Sequence, residues 1–245
     1  MAWDPKLGQV LLFGGSVGPH DLPRDTWAWN GSTWREVAHG GVAPAGGPAG
    51  MAYDPDRGQM VLLVFAGSGP VAPTETWTWD GAHWQQRPQQ DGPAGPLLPI
   101  AFDPRTRTVL VAGERCTALG CEPETWRWDG SSWHRLVPAH EPGASAHMTL
   151  VSDPISSQLL LLTVAAGPHG VPFPTETWTW DGRDWARLPS VGQPGGDVYA
   201  VGASEASRST VWAFEDVTPS PGATRVDVAW SWTGTTWLQA VGAAR

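Results

Sequence analysis

Apolar and polar positions along this chain fall into blocks that recur about every fifty residues. A block opens with a short segment closed by Asp-Pro: Met1-Ala2-Trp3-Asp4-Pro5, Met51-Ala52-Tyr53-Asp54-Pro55 and Ile100-Ala101-Phe102-Asp103-Pro104. Ser152-Asp153-Pro154 is the fourth copy, and Gly202-Ala203-Ser204-Glu205 is a decayed fifth. Pro cannot continue a ladder, and an Asp side chain can bond the backbone of the turn that follows, so a first strand (A) ends there. Next comes an unbroken apolar run, such as Val10-Leu11-Leu12-Phe13, residues 60–65 or Leu159-Leu160-Leu161-Leu162. The absence of alternation predicts a strand (B) covered on both faces. A third strand (C) carries Thr-Trp-x-Trp, and a fourth (D) starts at a further Trp.

The last two strands are marked by the string W-x-W-[D/N]-G-x-x-W. It places Trp27, Trp29 and Trp34 in the first copy, Trp77, Trp79 and Trp84 in the second, and Trp126, Trp128 and Trp133 in the third. Trp178, Trp180 and Trp185 form the fourth copy; Trp230, Trp232 and Trp237 form a fifth, in which Thr233 replaces the acid or amide. Fifteen of the 17 tryptophans are thereby accounted for, which chance does not do. Asp80-Gly81 signals a tight hairpin, because Gly accepts positive φ. Trp77 and Trp79 are two apart and share a face. An even loop places Trp84 on that face too, so the three rings are expected to form a cross-strand cluster that packs on the next blade.

Four antiparallel strands repeated at this period mean radial blades. The expected fold class is all-β, a β-propeller of five four-stranded antiparallel blades. One domain, 1–245, divides into repeats of approximately 1–50, 51–99, 100–148, 149–199 and 200–245. The glycines that close the apolar strand (Gly14-Gly15, with Ala66-Gly67 and Ala112-Gly113 as counterparts), followed by a Trp-bearing strand, resemble the kelch repeat over the whole chain. That resemblance implies the propeller architecture of the central domain of galactose oxidase. The copper chemistry of that enzyme does not follow, because it needs tyrosine and histidine ligands and this chain has only Tyr53 and Tyr199. Tyr53 aligns with Trp3 and Phe102 at what reads as a core position. The tandem W-x-W and the Asp-Gly hairpin depart from the usual kelch pattern, and Asp-Gly-x-x-Trp also looks like the Asp-box turn of sialidases without its Asp-x-Gly spacing. The chain starts inside one strand A and stops just after a strand D. Both a five-bladed ring closed by packing, a monomer, and an excised piece of a larger ring, prone to self-association, fit that pattern; the closed ring is favoured.

Composition narrows the partners. Charged residues make up 16% of the chain and the net charge is −9, with no Lys/Arg cluster, so neither nucleic acid nor a membrane surface is expected as partner. No apolar run is long enough to span a bilayer, and no basic-then-apolar segment marks a signal peptide. Cys116 and Cys121 sit close enough to bridge one loop, which would favour an extracellular or cell-surface setting. The histidines show no paired ligand spacing, so no metal and no cofactor is expected. No Gly-x-Ser-x-Gly elbow and no phosphate-binding loop occurs.

Acids that recur once per blade read as structural. Asp4, Asp54, Asp103 and Asp153 close the A–B turns; Asn30, Asp80, Asp129 and Asp181 close the C–D turns. Asp25, Glu75, Glu124 and Glu176 precede Thr-Trp, and there two readings stand: structural caps, or an acidic ring facing a ligand. The long B–C and D–A connections, for example residues 15–25, 68–75 and 114–124, share one side of the blades, where binding usually resides. Among their acids, Glu114, Asp197, Glu215 and Asp216 break the repeat, and Arg115, beside Glu114 and the two cysteines, joins the candidate ligand contacts. A non-catalytic scaffold that binds a protein or a glycan through these loops is the first expectation. A carbohydrate-active enzyme with carboxylates at the central channel, and an engineered or excised repeat without function of its own, are the alternatives.

Overall fold

The computed structural model describes residues 1–15, 22–38, 42–65, 73–95, 98–117, 120–143, 145, 147–164, 175–189, 194, 203–205, 210–217 and 226–240. Five four-stranded sheets result, each with its strands in chain order, and no helix occurs among the described residues. Blade 1 comprises β1 (Ala2–Asp4), β2 (Gln9–Phe13), β3 (Thr26–Trp29) and β4 (Trp34–Ala38). Blade 2 comprises β5 (Gly47–Asp54), β6 (Gln59–Phe65), β7 (Thr74–Trp79) and β8 (Trp84–Arg87). In blade 3 the strands are β9 (Ile100–Asp103), β10 (Thr108–Thr117), β11 (Gly120–Trp128) and β12 (Trp133–Leu136). Blade 4 has β13 (His147–Asp153), β14 (Gln158–Val164), β15 (Thr175–Trp180) and β16 (Trp185–Arg187). Blade 5 has β17 (Ala203–Glu205), β18 (Thr210–Val217), β19 (Val226–Trp232) and β20 (Trp237–Gln239). The fold is a five-bladed β-propeller. It divides into two compact units, Met1–Phe102 with Arg107–Val137, and Asp103–Thr106 with Pro138–Arg245.

Within the first unit the unbroken apolar run of β6 explains itself. Met60, Leu62 and Val64 enter a core with Leu11, Phe13 and Ala28 of blade 1, while Val61 and Leu63 enter a second core with Val109, Val111, Trp126, Trp128 and Trp133 of blade 3. Successive side chains of a strand point to opposite faces, so a middle blade needs apolar residues at every position. In the second unit Leu160 and Leu162 of blade 4 pack against Val211, Ala213, Trp232 and Trp237 of blade 5.

The C–D hairpins have four-residue loops, and the flanking tryptophans are register partners: Trp29 with Trp34, Trp79 with Trp84, Trp128 with Trp133, Trp180 with Trp185 and Trp232 with Trp237. Their ring centroids lie 5.1–5.4 Å apart. In three blades the third ring also bonds the preceding blade. Trp84 Nε1 donates to Thr26 Oγ1 at 2.8 Å, Trp133 Nε1 to Thr76 Oγ1 at 2.8 Å and Trp237 Nε1 to Thr177 Oγ1 at 3.0 Å. Trp34 stands apart, 43% exposed. The core position expected for the aromatic of strand A holds only in part: Tyr53 and Phe102 are half-buried against the cores, whereas Trp3 is mostly exposed on the first strand.

Candidate functional site

The recurring acids are turn-formers with hydrogen bonds to match. Asp4 Oδ1 accepts from the amides of Lys6 and Leu7, Asp54 Oδ1 from Asp56 and Arg57, and Asp153 from Ile155 and Ser156; Asp103 accepts the amide of Arg105 and the hydroxyl of Thr106. The turn ends on a left-handed residue, Gly8, Gly58, Arg107 or Ser157. At the C–D turns Asn30, Asp80, Asp129 and Asp181 each accept two backbone amides across a glycine of positive φ. These bonds draw the Asp80 carboxyl below its ordinary value, the amide of His83 first and that of Ala82 next. At Asp129 burial pushes the other way and is outweighed by the Ser132 amide, the His134 ring and Ser131, so its carboxyl is held well below the usual range.

Two buried acids do more than close turns. In the second unit Trp180 Nε1 donates to Asp103 Oδ2 at 3.1 Å and Trp232 Nε1 to Asp153 Oδ2 at 3.0 Å, so the Asp of one blade receives the second tryptophan of the next. In the first unit Asp54 Oδ2 takes Arg57 Nη1 instead, and the Trp79 and Trp128 ring nitrogens are buried without a partner.

The acids before Thr-Trp bond the first tryptophan of their own blade. Asp25 Oδ2 accepts Trp27 Nε1 at 2.6 Å, Glu75 Oε2 accepts Trp77 Nε1 at 2.9 Å and Glu176 Oε2 accepts Trp178 Nε1 at 3.0 Å, with Glu176 Oε1 also 2.9 Å from Arg187 Nη2. Blade 3 breaks the series. There Glu124, 1% exposed, gives Oε2 to Arg115 Nε at 3.1 Å, and both its Oε1 and Trp126 Nε1 are left buried without a partner.

Residues 114–124, expected as a loop, are mostly strand. The β10–β11 pairing runs on from Gly113↔Glu124 through Glu114↔Pro123 and Arg115↔Glu122 to Thr117↔Gly120, because the two segments keep hydrogen-bonded register beyond the blade. Glu114 and Arg115 therefore stand on β10, half-buried, and Glu124 on β11. Cys116 and Cys121 are register partners, and no free thiol occurs among the described residues.

Beside Arg115 opens a cleft of about 680 Å³, lined by Pro73, Thr74, Glu75, Gln86, Arg87, Pro88, Gln89, Gln90, Asp91, Gly92, Ala94 and Arg115. It lies between blades 2 and 3 on the side of the B–C and D–A connections. Its wall is fixed by a Pro73↔Ala94 bridge, by Thr74 Oγ1 donating to Pro93 O at 2.7 Å, and by Gln89, whose amide bonds both Thr74 O and Thr76 Oγ1. Arg87 Nε donates to Thr78 Oγ1 at 2.9 Å, and Arg115 Nη2 reaches Gly92 O at 3.5 Å. Fixed planar donors and carboxylates, with proline and alanine faces between them, suit a polyhydroxylated ring of mixed polarity.

Of the expected site residues the cleft gathers Glu75 and Arg115, with Glu124 buried behind the arginine. Asp25 and Glu176 stay with their own blades, and Glu114 does not line it. Asp197 lies outside the described residues; Glu215 and Asp216 are placed in β18 opposite Val228 and Asp227, and their side chains lie outside them too. Gln89, Gln90 and Asp91 were not foreseen; their one signal is a polar insert between Pro88 and Pro93, and the later D–A connections carry prolines at like spacing, Pro138 with Pro142 and Pro189 with Pro194. Among the described residues no group of three or more His, Cys, Asp or Glu is placed to hold a metal ion.

The class these observations define is a β-propeller with a polar inter-blade cleft. Compared with solved structures, the chain is similar in fold to the Aleuria aurantia lectin in complex with Fucα1-6GlcNAc, with a TM-score of 0.61, 12% identity, and coverage of 96% of this chain and 74% of the lectin. TolB from Acinetobacter baumannii follows with a TM-score of 0.56 and 11% identity over 97% of this chain and 53% of TolB. The SapL1 lectin in complex with α-methyl fucoside gives 0.50 and 14% over 91% and 74%. No family model matches the sequence, and no curated protein matches it.

Proposed function

We propose that this protein is a carbohydrate-binding propeller and that the cleft between blades 2 and 3 seats the sugar. The observation that carries the reading is that cleft: about 680 Å³, with Glu75, Arg87, Gln89, Asp91 and Arg115 converging on it. Two of the fold neighbours are lectins with fucose-containing ligands, which supports the class by analogy of fold and puts fucosylated glycans first on a panel. The reading keeps the site on the B–C and D–A side of the blades and treats the repeat as kelch-like, with Gly14 and Gly15 at positive φ after β2. It also takes Cys116 and Cys121 as a disulfide that ties the tip of the β10–β11 hairpin.

The test is a glycan array probed with the full chain, followed by titration calorimetry on the best ligand. Retention of a defined glycan is expected, with Asp91→Ala weakening it at least tenfold. Asp91 is exposed and its one recorded bond is to the Gly92 amide beside it, so this change spares the fold. Binding unaffected by Asp91→Ala moves the site elsewhere. An array with no signal overturns the carbohydrate reading and leaves a protein ligand; release of free sugar from a bound glycan supports the enzyme instead.

A further inference from the structure

We infer that Arg115 is a ligand-contacting residue that blade 3 carries at the expense of its own hydrogen bonding, and that its ligand is a neutral sugar. The inference rests on the carbohydrate reading above for its ligand class.

Three blades show what the acid before Thr-Trp does elsewhere: it accepts the indole N–H two residues on, in blade 4 while its other oxygen pairs with Arg187 on the following strand. Blade 3 has the same Glu124-Thr125-Trp126 and lacks the bond. What differs is the neighbouring strand. The acid faces Val64 in blade 2, Gly113 in blade 3 and Thr163 in blade 4. Two residues further along the chain stand Ala66, Arg115 and Ala165. Only blade 3 has a long cation there, and it takes Glu124 away from Trp126.

The exchange is unfavourable on its own terms. A buried carboxylate oxygen and a buried indole N–H both end without partners, and each such loss carries a desolvation penalty. A residue that imposes this and stands at the edge of a cleft is better explained by function than by packing. Glu124 holds the guanidinium by Nε, and Gly92 O takes Nη2, so among the described residues Nη1 remains as a donor for a ligand, in an orientation fixed from two sides.

Charge decides the ligand class. Glu75 and Asp91 balance Arg87 and Arg115 around the cleft, and Glu124 backs Arg115. There is no surplus of positive charge to hold a sugar carboxylate or sulfate. A neutral sugar offering adjacent hydroxyls to the guanidinium fits.

The experiment uses Arg115→Ala, which installs the residue of blades 2 and 4, and Arg115→Lys, in the full chain. Three quantities are read: the melting temperature, the indole N–H resonance of Trp126 (assigned by its loss in Trp126→Phe), and affinity for the best array glycan. In Arg115→Ala the melting temperature is expected to hold or rise. The Trp126 resonance should move downfield as Glu124 takes up the indole, and affinity should fall at least tenfold. Arg115→Lys should keep the fold and recover at most part of the affinity. A fall in melting temperature of more than about 3 °C with the Trp126 resonance unmoved makes Arg115 structural and overturns the inference. An unmoved affinity overturns its contact with the ligand, and preferred binding of acidic glycans overturns the ligand class. If the wild-type chain retains no glycan, the carbohydrate reading fails and the ligand of Arg115 with it. The melting and indole readouts still decide separately whether Arg115 displaces the Trp126 bond.

Discussion

Ser157 and Arg107 hold φ of 56° and 57° at the turn position where blades 1 and 2 use Gly8 and Gly58. An L side chain is disfavoured there by sterics, a cost only partly offset by the greater freedom that glycine loses on folding. Arg107 pairs with Asp56 at 2.7 Å, so its side chain gives something in return. Among the described residues the Ser157 side chain makes no hydrogen bond, and Ser157→Gly is expected to stabilise the protein by about 0.5–1 kcal/mol, read as a higher midpoint in urea with an unchanged slope. The C–D turns make a prediction in pH. The Asp80 and Asp129 carboxyls sit below their unfolded value of 3.8, so their contribution is complete above that value and lost as pH falls from about 4 through the lowered folded values. Blade 1 makes the same turn with Asn30, whose side-chain oxygen accepts the amides of Ser32 and Thr33 at 2.9 Å. Asp129→Asn should therefore fold, and its melting temperature should drop less than wild type between pH 5 and pH 2.5; an identical acid profile would remove Asp129 from the balance.

At the scale of the element, the four strands and the even C–D loop were legible because Pro, Gly and the two-residue spacing of tryptophans act locally. The Thr of Thr-Trp was read only as part of a strand. Its role as acceptor for the third tryptophan of the next blade is a tertiary bond that no local signal announces. Thr76→Val keeps the shape and orphans the Trp133 indole and Gln89, which should cost about 1–3 kcal/mol in chemical denaturation. If Thr76→Val proves neutral, a water or another acceptor serves Trp133 as well. The β10–β11 extension escaped the sequence reading for the opposite reason. Residues 114–124 contain Gly, Pro and charge, which read as loop, and pairing across the hairpin overrode them. The proposed tie between Cys116 and Cys121 closes a very short loop, so reducing it should lower stability by no more than about 2 kcal/mol. A larger loss would mean that the hairpin supports the blade beneath it.

For the whole molecule, the five-blade architecture followed from the period alone, whereas the cleft did not. The cleft depends on Arg115, where blades 2 and 4 have alanine, and on Gln89, Gln90 and Asp91, side chains that differ from blade to blade between recurring prolines. A neutral glycan at a hundred times its dissociation constant should raise stability by about 2.7 kcal/mol, and at the same concentration that gain should fall to about 1.4 kcal/mol or less in Asp91→Ala. Within each unit two devices recur between neighbouring blades: a threonine bonded by a tryptophan of the next blade, and the A–B turn of one blade seated under the C–D glycine of the next, as with Arg57 beneath Gly130, Thr106 beneath Gly182 and Ile155 beneath Gly234. A side chain at Gly130 would run into the Arg57 side chain, and one at Gly182 or Gly234 would meet Thr106 or Ile155 at 3.2 or 3.0 Å. The heritable module is therefore about fifty residues long whatever its starting point. A duplication cut anywhere in the repeat would bring both halves of the joint with it.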